Sequence, residues 1–264
     1  MKIAAEGLTF RYGRHEALRG VSGEWGTGVI GALGVNGAGK TTLLRILAGI
    51  APPSGGRLTV DGVPVVSRAD RSRLRGRVGY LPQSPRWLPE LTVTEFVTYF
   101  GKLRIGRHGV DEAVSRAVTA VGLEDSRDVQ LGHLSGGQRQ RAFIAQTIVH
   151  SPQILILDEP SAGLDPRQRV RLRELLAGLA AERLVLVSTH VVEDLQQLAS
   201  RILILDEGRA LWQGSFADLQ EWGRRDGQGH HALASDAEAG FLSLIGGTAP
   251  ARAGLDETDG VVGF

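Results

Sequence analysis

VIGALGVNGAGKTTLLRILAG, residues 29–49, decides the fold. Residues 29–33 form an apolar run of buried-strand length, and they lead straight into GVNGAGKT, residues 34–41. That octet fits the pattern G-x-x-x-x-G-K-[ST]. Residues 41–47 then have helical character, with Gly49 as a C-terminal stop. A strand, a glycine-rich loop and a helix in this order make a phosphate cradle. Gly34, Gly37 and Gly39, with Asn36 and Ala38 between them, let backbone N–H groups converge on phosphate oxygens, and the helix adds its positive end. Lys40 supplies a point charge for β- and γ-phosphates, Thr41 offers a hydroxyl to Mg²⁺, and Thr42 completes the set at the helix start.

Downstream, ILILDEP spans residues 154–160. An apolar strand ending in Asp158-Glu159 places two carboxylates at the sheet edge where ligands bind in open α/β folds. Asp206-Glu207, after the apolar run 202–205, repeats the pattern and reads as a solvated turn. The pair at 158–159 gains its meaning only from the loop at 34–41. Between the two motifs stands LSGGQ, residues 134–138. Ser135 and Gln138 suit an ordinary capping box for the following helix. The same helix start, with Gly136 and Gly137 bare of side chains, also suits a sensor of a γ-phosphate.

The three motifs in this order resemble the ATP-binding cassette family, the ATPase subunits and domains of ABC transporters. The resemblance covers residues 3–222 and implies ATP and Mg²⁺ as ligands. It implies that Asp158 holds Mg²⁺ through water and that Glu159 orients the attacking water. Gln83, in YLPQ, matches a glutamine that touches Mg²⁺ and that water, and His190, in LVLVSTH, matches a histidine near the γ-phosphate. Tyr12 matches an aromatic that stacks on adenine, and residues 161–165 match a loop that crosses to a partner subunit. Ser135, Gly136, Gly137 and Gln138 of one copy would complete the ATP site of another, in a homodimer or in a heterodimer with a similar ATPase. Val35 stands where proline is common in the family, which leaves backbone binding untouched.

The fold class implied is α/β: a P-loop NTPase core with a mostly parallel sheet, an N-terminal antiparallel β subdomain and an inserted α-helical subdomain. The sequence supports this in outline. Apolar runs at 3–10 and 17–25 read as strands, and Asp61-Gly62 between 57–60 and 63–66 as a hairpin. Thr92 and Glu95 make a capping box, behind which Phe96, Val97, Tyr99, Phe100 and Leu103 recur at helical spacing, and 110–121 reads as a second helix. Strand 154–157, a helix from Pro166, strand 184–188, a helix over 192–198 and strand 202–205 then alternate, as a covered parallel sheet requires. The expected layout is a cassette over 1–222 with its helical subdomain at about 85–150, then a charged, Gly-rich linker and a short tail or add-on over 223–264.

Composition narrows the partners. A formal net charge of +1 over 264 residues gives no general basic face for nucleic acid. The absence of cysteine removes disulfides and thiolate chemistry. No apolar run approaches the ~20 residues of a membrane span. The expectation is a protein on the cytoplasmic face of a membrane, docked on integral membrane transporter subunits through residues 85–129, with Trp87 and Leu88 as candidate contacts. The segment around Trp87 resembles export-type cassettes for drugs, antibiotics or lipids. A soluble non-transport ATPase of the same family and an importer subunit are the alternatives.

Overall fold

The structure is a computed structural model and describes residues 1–226 and 235–246. It opens with the hairpin β1 (Lys2–Tyr12) and β2 (His15–Gly26), followed by β3 (Gly28–Leu33) and α1 (Lys40–Leu47). A second hairpin, β4 (Gly55–Val60) and β5 (Val63–Pro64), turns on Asp61-Gly62, whose φ angles of 50° and 77° suit a two-residue primed turn. Then come α2 (Arg68–Arg77), β6 (Val78–Leu81), α3 (Val93–Ile105), α4 (Val110–Ala120) and α5 (Gly136–Ile148). The chain closes with β7 (Ile154–Asp158), α6 (Pro166–Leu179), β8 (Leu184–Thr189), β9 (Arg201–Asp206), β10 (Arg209–Gly214), α7 (Phe216–Asp226) and α8 (Asp236–Ile245).

Two sheets result. The antiparallel one runs β2-β1-β4-β5, and the larger one runs β10-β9-β3-β8-β7-β6 with only β10 antiparallel. The expected mixed architecture is therefore present. Alternation along the central strands splits the interior in two. Leu155 and Leu157 of β7, with Val185 and Val187 of β8, face a core shared with α3, α4, α5 and α6. Ile154, Ile156, Leu184 and Leu186 face the other core, shared with α1 and the antiparallel sheet. Burial on both faces is why these strands read as unbroken apolar runs. Both sheets have one edge strand that is short and stops at proline: β5 ends in Pro64, and β6 runs into Pro82.

Three features depart from the sequence reading. The helix expected over 192–198 is a single 3-10 turn, Val192–Leu195. Its apolar residues recur every three positions, a spacing that suits three residues per turn, and Gln197 at φ 58° ends it. Helix α2 was not visible as periodicity because Leu74 is its one buried residue beside five arginines; only its Ser67–Asp70 capping box marks it.

Beyond the expected boundary at residue 222, α7 continues to Asp226 and α8 packs against it. Ala237, Phe241 and Leu244 of α8 join Leu33, Trp212 and Leu219 in a third core, which also holds Val192 and Leu195 of the 3-10 turn. The expected linker (223–231) and tail (to 264) otherwise fall largely outside the described residues. Phe241→Ala empties the centre of this third core and is expected to lower unfolding free energy by about 3 to 5 kcal/mol in a urea titration. An unchanged midpoint would mean that α8 is not held there.

Candidate functional site

The register of three parallel strands brings the candidates to one edge. Leu33 of β3 lies level with Thr189 of β8, and Ser188 lies level with Asp158 of β7. The chain thus leaves the sheet at Gly34, Glu159 and His190 side by side. The Gly34 N–H donates to the Thr189 carbonyl at 3.3 Å, and a Cβ at residue 34 would lie 2.3 Å from the Leu205 carbonyl oxygen. Only glycine fits there. Gly39 closes the loop at φ 99°, in the left-handed region, with its hydrogen against the Ala17 carbonyl.

Helix α1 begins behind Gly39 with no side-chain cap and no acidic residue in its first turn. Helices α2, α3, α5, α6 and α8 all carry reciprocal capping boxes. Helix α4 also lacks a cap, but Asp111 and Glu112 occupy its first turn. Helix α1 alone among these combines free first-turn N–H groups with no competing negative charge, the arrangement that takes an anion.

A buried chain of charge runs behind the loop. Lys40 Nζ donates to the carbonyls of Gly34 (2.7 Å) and Val35 (3.1 Å) and lies 3.3 Å from Glu159 Oε1. His190 Nδ1 lies 2.9 Å from Glu159 Oε2, and since a carboxylate only accepts, that nitrogen carries the proton. Glu159 itself sits at φ 50°, a left-handed conformation unfavourable for a side chain of this kind and one that gathers at functional positions. Ser188 locks both acids: its Oγ donates to Asp158 Oδ1 at 2.5 Å and accepts from the Glu159 N–H at 2.9 Å. The other Asp158 oxygen, Oδ2, is buried with no partner among the described residues. An acceptor left open in this way fits the hydration shell of a cation, and Mg²⁺ sites on nucleotides use one or two such protein groups.

A cleft of about 400 Å³ lies in front of this chain, lined by Tyr12, His15, Ala17, residues 36–42, Gln83 and Glu159. It is within the size range of small-ligand sites. Tyr12 is 47% exposed with its edge on Phe10, so it is not core packing, and Arg45 donates to its hydroxyl at 3.4 Å. Asp158 stands behind the lining, and His190 reaches it through Glu159. His15, Ala17, Arg45 and Ser188 escaped the sequence reading. The first two had a signal: a two-residue turn after Tyr12 pairs it with His15, and alternation along β2 then brings Ala17 to the same face.

Ser135, Gly136, Gly137 and Gln138 are not brought to that cleft. Ser135 and Gln138 form the capping box of α5, with Ser135 Oγ accepting from the Gln138 N–H at 3.2 Å. Ser135, Gly137 and Gln138 line a separate cleft of about 130 Å³, together with Arg141, Leu164 and Gln168. The pair Asp206-Glu207 is the start of the β9–β10 turn, with φ 43° at Glu207 and 78° at Gly208, as its reading as a solvated turn required.

Trp87 and Leu88 part company. Trp87 is half-buried on Phe143, with ring centroids 6.2 Å apart, and under the Arg139 guanidinium at 4.9 Å, so it covers the helical core. Leu88 beside it is 60% exposed.

If the open face of Tyr12 receives a base, Tyr12→Ala weakens ATP binding by about 1 to 3 kcal/mol while Tyr12→Trp preserves it. Calorimetry with both variants decides the point, and equal affinities would show that no base stacks on Tyr12.

Comparison with known proteins agrees with the geometry. The profile of the family described as "ABC transporter" matches residues 18–162. The chain is 35% identical over 221 residues to the uncharacterized ABC transporter ATP-binding protein YxlF of Bacillus subtilis, covering 83% of this chain and 72% of that one. It is 37% identical over 212 residues to the Nod factor export ATP-binding protein I of Burkholderia orbicola, covering 78% and 68%. Among solved structures, cbiO1 from Clostridium perfringens, part of the ABC transporter complex cbiONQ, superposes with a TM-score of 0.75 at 29% identity, over 88% of this chain and 98% of that one. A nucleotide-free ATP-binding cassette from an ABC transporter gives 0.75 at 21% identity over 81% and 92%, a likeness of fold. This chain belongs to the ABC transporter family, as one of its ATP-binding ATPase subunits.

Proposed function

We propose that two copies of this chain, or one copy with a similar ATPase, enclose two ATP–Mg²⁺ and drive integral membrane subunits in export. One observation carries the reading. The cleft gathers the base-side, phosphate-side and carboxylate residues, while Ser135–Gln138 lie on a different face and are free to serve another copy.

In this reading Tyr12 stacks on adenine. The N–H groups of residues 36–42 and the Lys40 ammonium hold the phosphates. The ammonium exchanges its present contact with Glu159 for phosphate oxygen, which frees Glu159 Oε1 to accept a proton from the attacking water. Orientation and polarisation of that water account for most of what a protein contributes to phosphoryl transfer. His190, held by Glu159 through Nδ1, keeps its remaining ring nitrogen for the γ-phosphate. Thr41, Gln83 and Asp158 are the residues that would hold Mg²⁺, which neutralises phosphate charge when bound. Ser135, Gly136, Gly137 and Gln138, at the positive start of α5, close on the γ-phosphate of the other copy.

Residues 1–222 then make the cassette, with the helical subdomain over about 85–150 and the C-terminal helices as an appendage. The names of several relatives, Nod factor export ATP-binding protein I, support export over import. A drug, an antibiotic or a lipid is the proposed cargo class. The location is the cytoplasmic face of the membrane, and among the described residues no helix is long and apolar enough to cross it. A soluble, non-transport role is the competing reading.

Glu159→Gln is expected to keep ATP affinity, lose at least about a hundredfold in turnover and accumulate an ATP-bound dimer visible by size-exclusion chromatography. Undiminished steady-state hydrolysis would remove Glu159 from the chemistry. Leu88→Asp, at an exposed position of the helical subdomain, should leave basal hydrolysis and the melting curve unchanged and abolish co-purification with a co-expressed membrane subunit. Retained co-purification would move the docking surface elsewhere.

A further inference from the structure

Four residues after His190, the 3-10 turn buries a carboxylate that the nucleotide reading does not use. Asp194 is 7% exposed. Its Oδ2 accepts from Ser161 Oγ at 2.5 Å and from Thr189 Oγ1 at 3.3 Å, and its Oδ1 lies 3.4 Å from Arg169 Nη1. Thr189 Oγ1 accepts in turn from the Val191 N–H at 3.0 Å. Arg169 Nε donates to the Leu164 carbonyl at 3.2 Å. The neighbouring crevice has room for about 10 Å³, too little for a ligand beyond a single water, so the cluster is no binding site.

What it joins is specific. Ser161 stands two residues after Glu159, and Thr189 stands immediately before His190. Leu164 and Arg169 bracket the start of α6, where Asp165 is the N-cap. One carboxylate therefore ties the segment carrying the proposed water-orienting acid, the segment carrying its histidine partner and the loop proposed to cross to a second copy. A buried ion held by three donors tolerates little displacement, because each lost donor leaves charge uncompensated.

We infer that Asp194 is a positioning residue for hydrolysis, acting through Ser161 and Thr189 to hold Glu159 and His190 in mutual register. The inference rests on the catalytic reading of Glu159. Misplacement of a reacting group by an ångström costs up to about a hundredfold in rate. Binding should be spared, because Gly34 meets the cluster only through the Thr189 backbone carbonyl, and the Asp194 and Ser161 side chains make no hydrogen bond to residues 34–42.

The test uses the full chain and the variants Asp194→Ala, Ser161→Ala and the double variant. Calorimetry with a non-hydrolysable ATP analogue and Mg²⁺ gives affinity and the number of competent sites, and kcat is expressed per competent site. Asp194→Ala and Ser161→Ala should each keep affinity within about twofold and lower kcat per site by about tenfold to a hundredfold. The double variant should be no slower than Asp194→Ala, since both remove one interaction. Asp194→Asn, which keeps an acceptor for the hydroxyls, should recover part of the rate.

A purely structural Asp194 would give fewer competent sites at wild-type kcat per site, and that result overturns the inference. Should Asp194→Ala fail to fold, Ser161→Ala decides alone, because it deletes a single hydroxyl, and wild-type kcat per site in it is equally fatal. Glu159→Gln measured alongside separates the two readings. If it turns over normally, the catalytic reading falls. If it is inactive while the Asp194 and Ser161 variants are unimpaired, only the positioning inference falls.

Discussion

The parallel ladder of β3, β8 and β7 is the constraint from which the rest follows. Strand pairing levels Leu33 with Thr189 and Ser188 with Asp158, and a shift of one residue would turn every side chain of a strand to the opposite core. Because both faces are apolar and filled, the register has no alternative. The strands end together, so the glycine-rich loop, the acidic pair and the histidine emerge within one hydrogen-bond shell of each other. Burial then strengthens those contacts: the Lys40 and Glu159 side chains are only 7% and 5% exposed.

Around that edge the polar groups form two layers. The front layer, Lys40, Glu159 and His190, is exchangeable, since each partner can be replaced by a phosphate oxygen or a water. Behind it Ser188 and Asp194 hold the same segments from the side away from the cleft. The helical subdomain is anchored differently, by Leu155, Leu157, Val185 and Val187 reaching through to α3, α4 and α5. Its own helix start at Ser135 points elsewhere, which is why a single copy holds the two halves of the proposed site apart.

Legibility in the sequence followed from how many independent signals coincided. Residues 29–49 were readable because a strand, a glycine pattern and a helix all agreed. Residues 154–159 and 184–190 were readable as continuous apolar runs with polar ends. Helix α2 was not, because its five arginines are exposed or half-buried and leave no apolar stripe around Leu74. Helix α8 was hidden by small residues and by the Gly-rich stretch before it, although Ser235 and Glu238 spelled a capping box. The packing of Trp87 on Phe143 was not legible, because the flanking prolines say nothing of a ring that lies 56 positions away in the chain. Asp158 Oδ2 and the Asp194 cluster required coordinates: no local pattern announces an unpaired oxygen or four donors and acceptors converging from three segments.

The two prolines at the sheet edges have a consequence for how this chain meets others. β5 is two residues long and ends in Pro64, and β6 stops at Pro82. A proline carries no N–H, so Pro64 removes a donor from β5 and Pro82 prevents β6 from extending as a template for an incoming strand. Both edges are thus short templates, which limits the backbone that a second strand could pair with there.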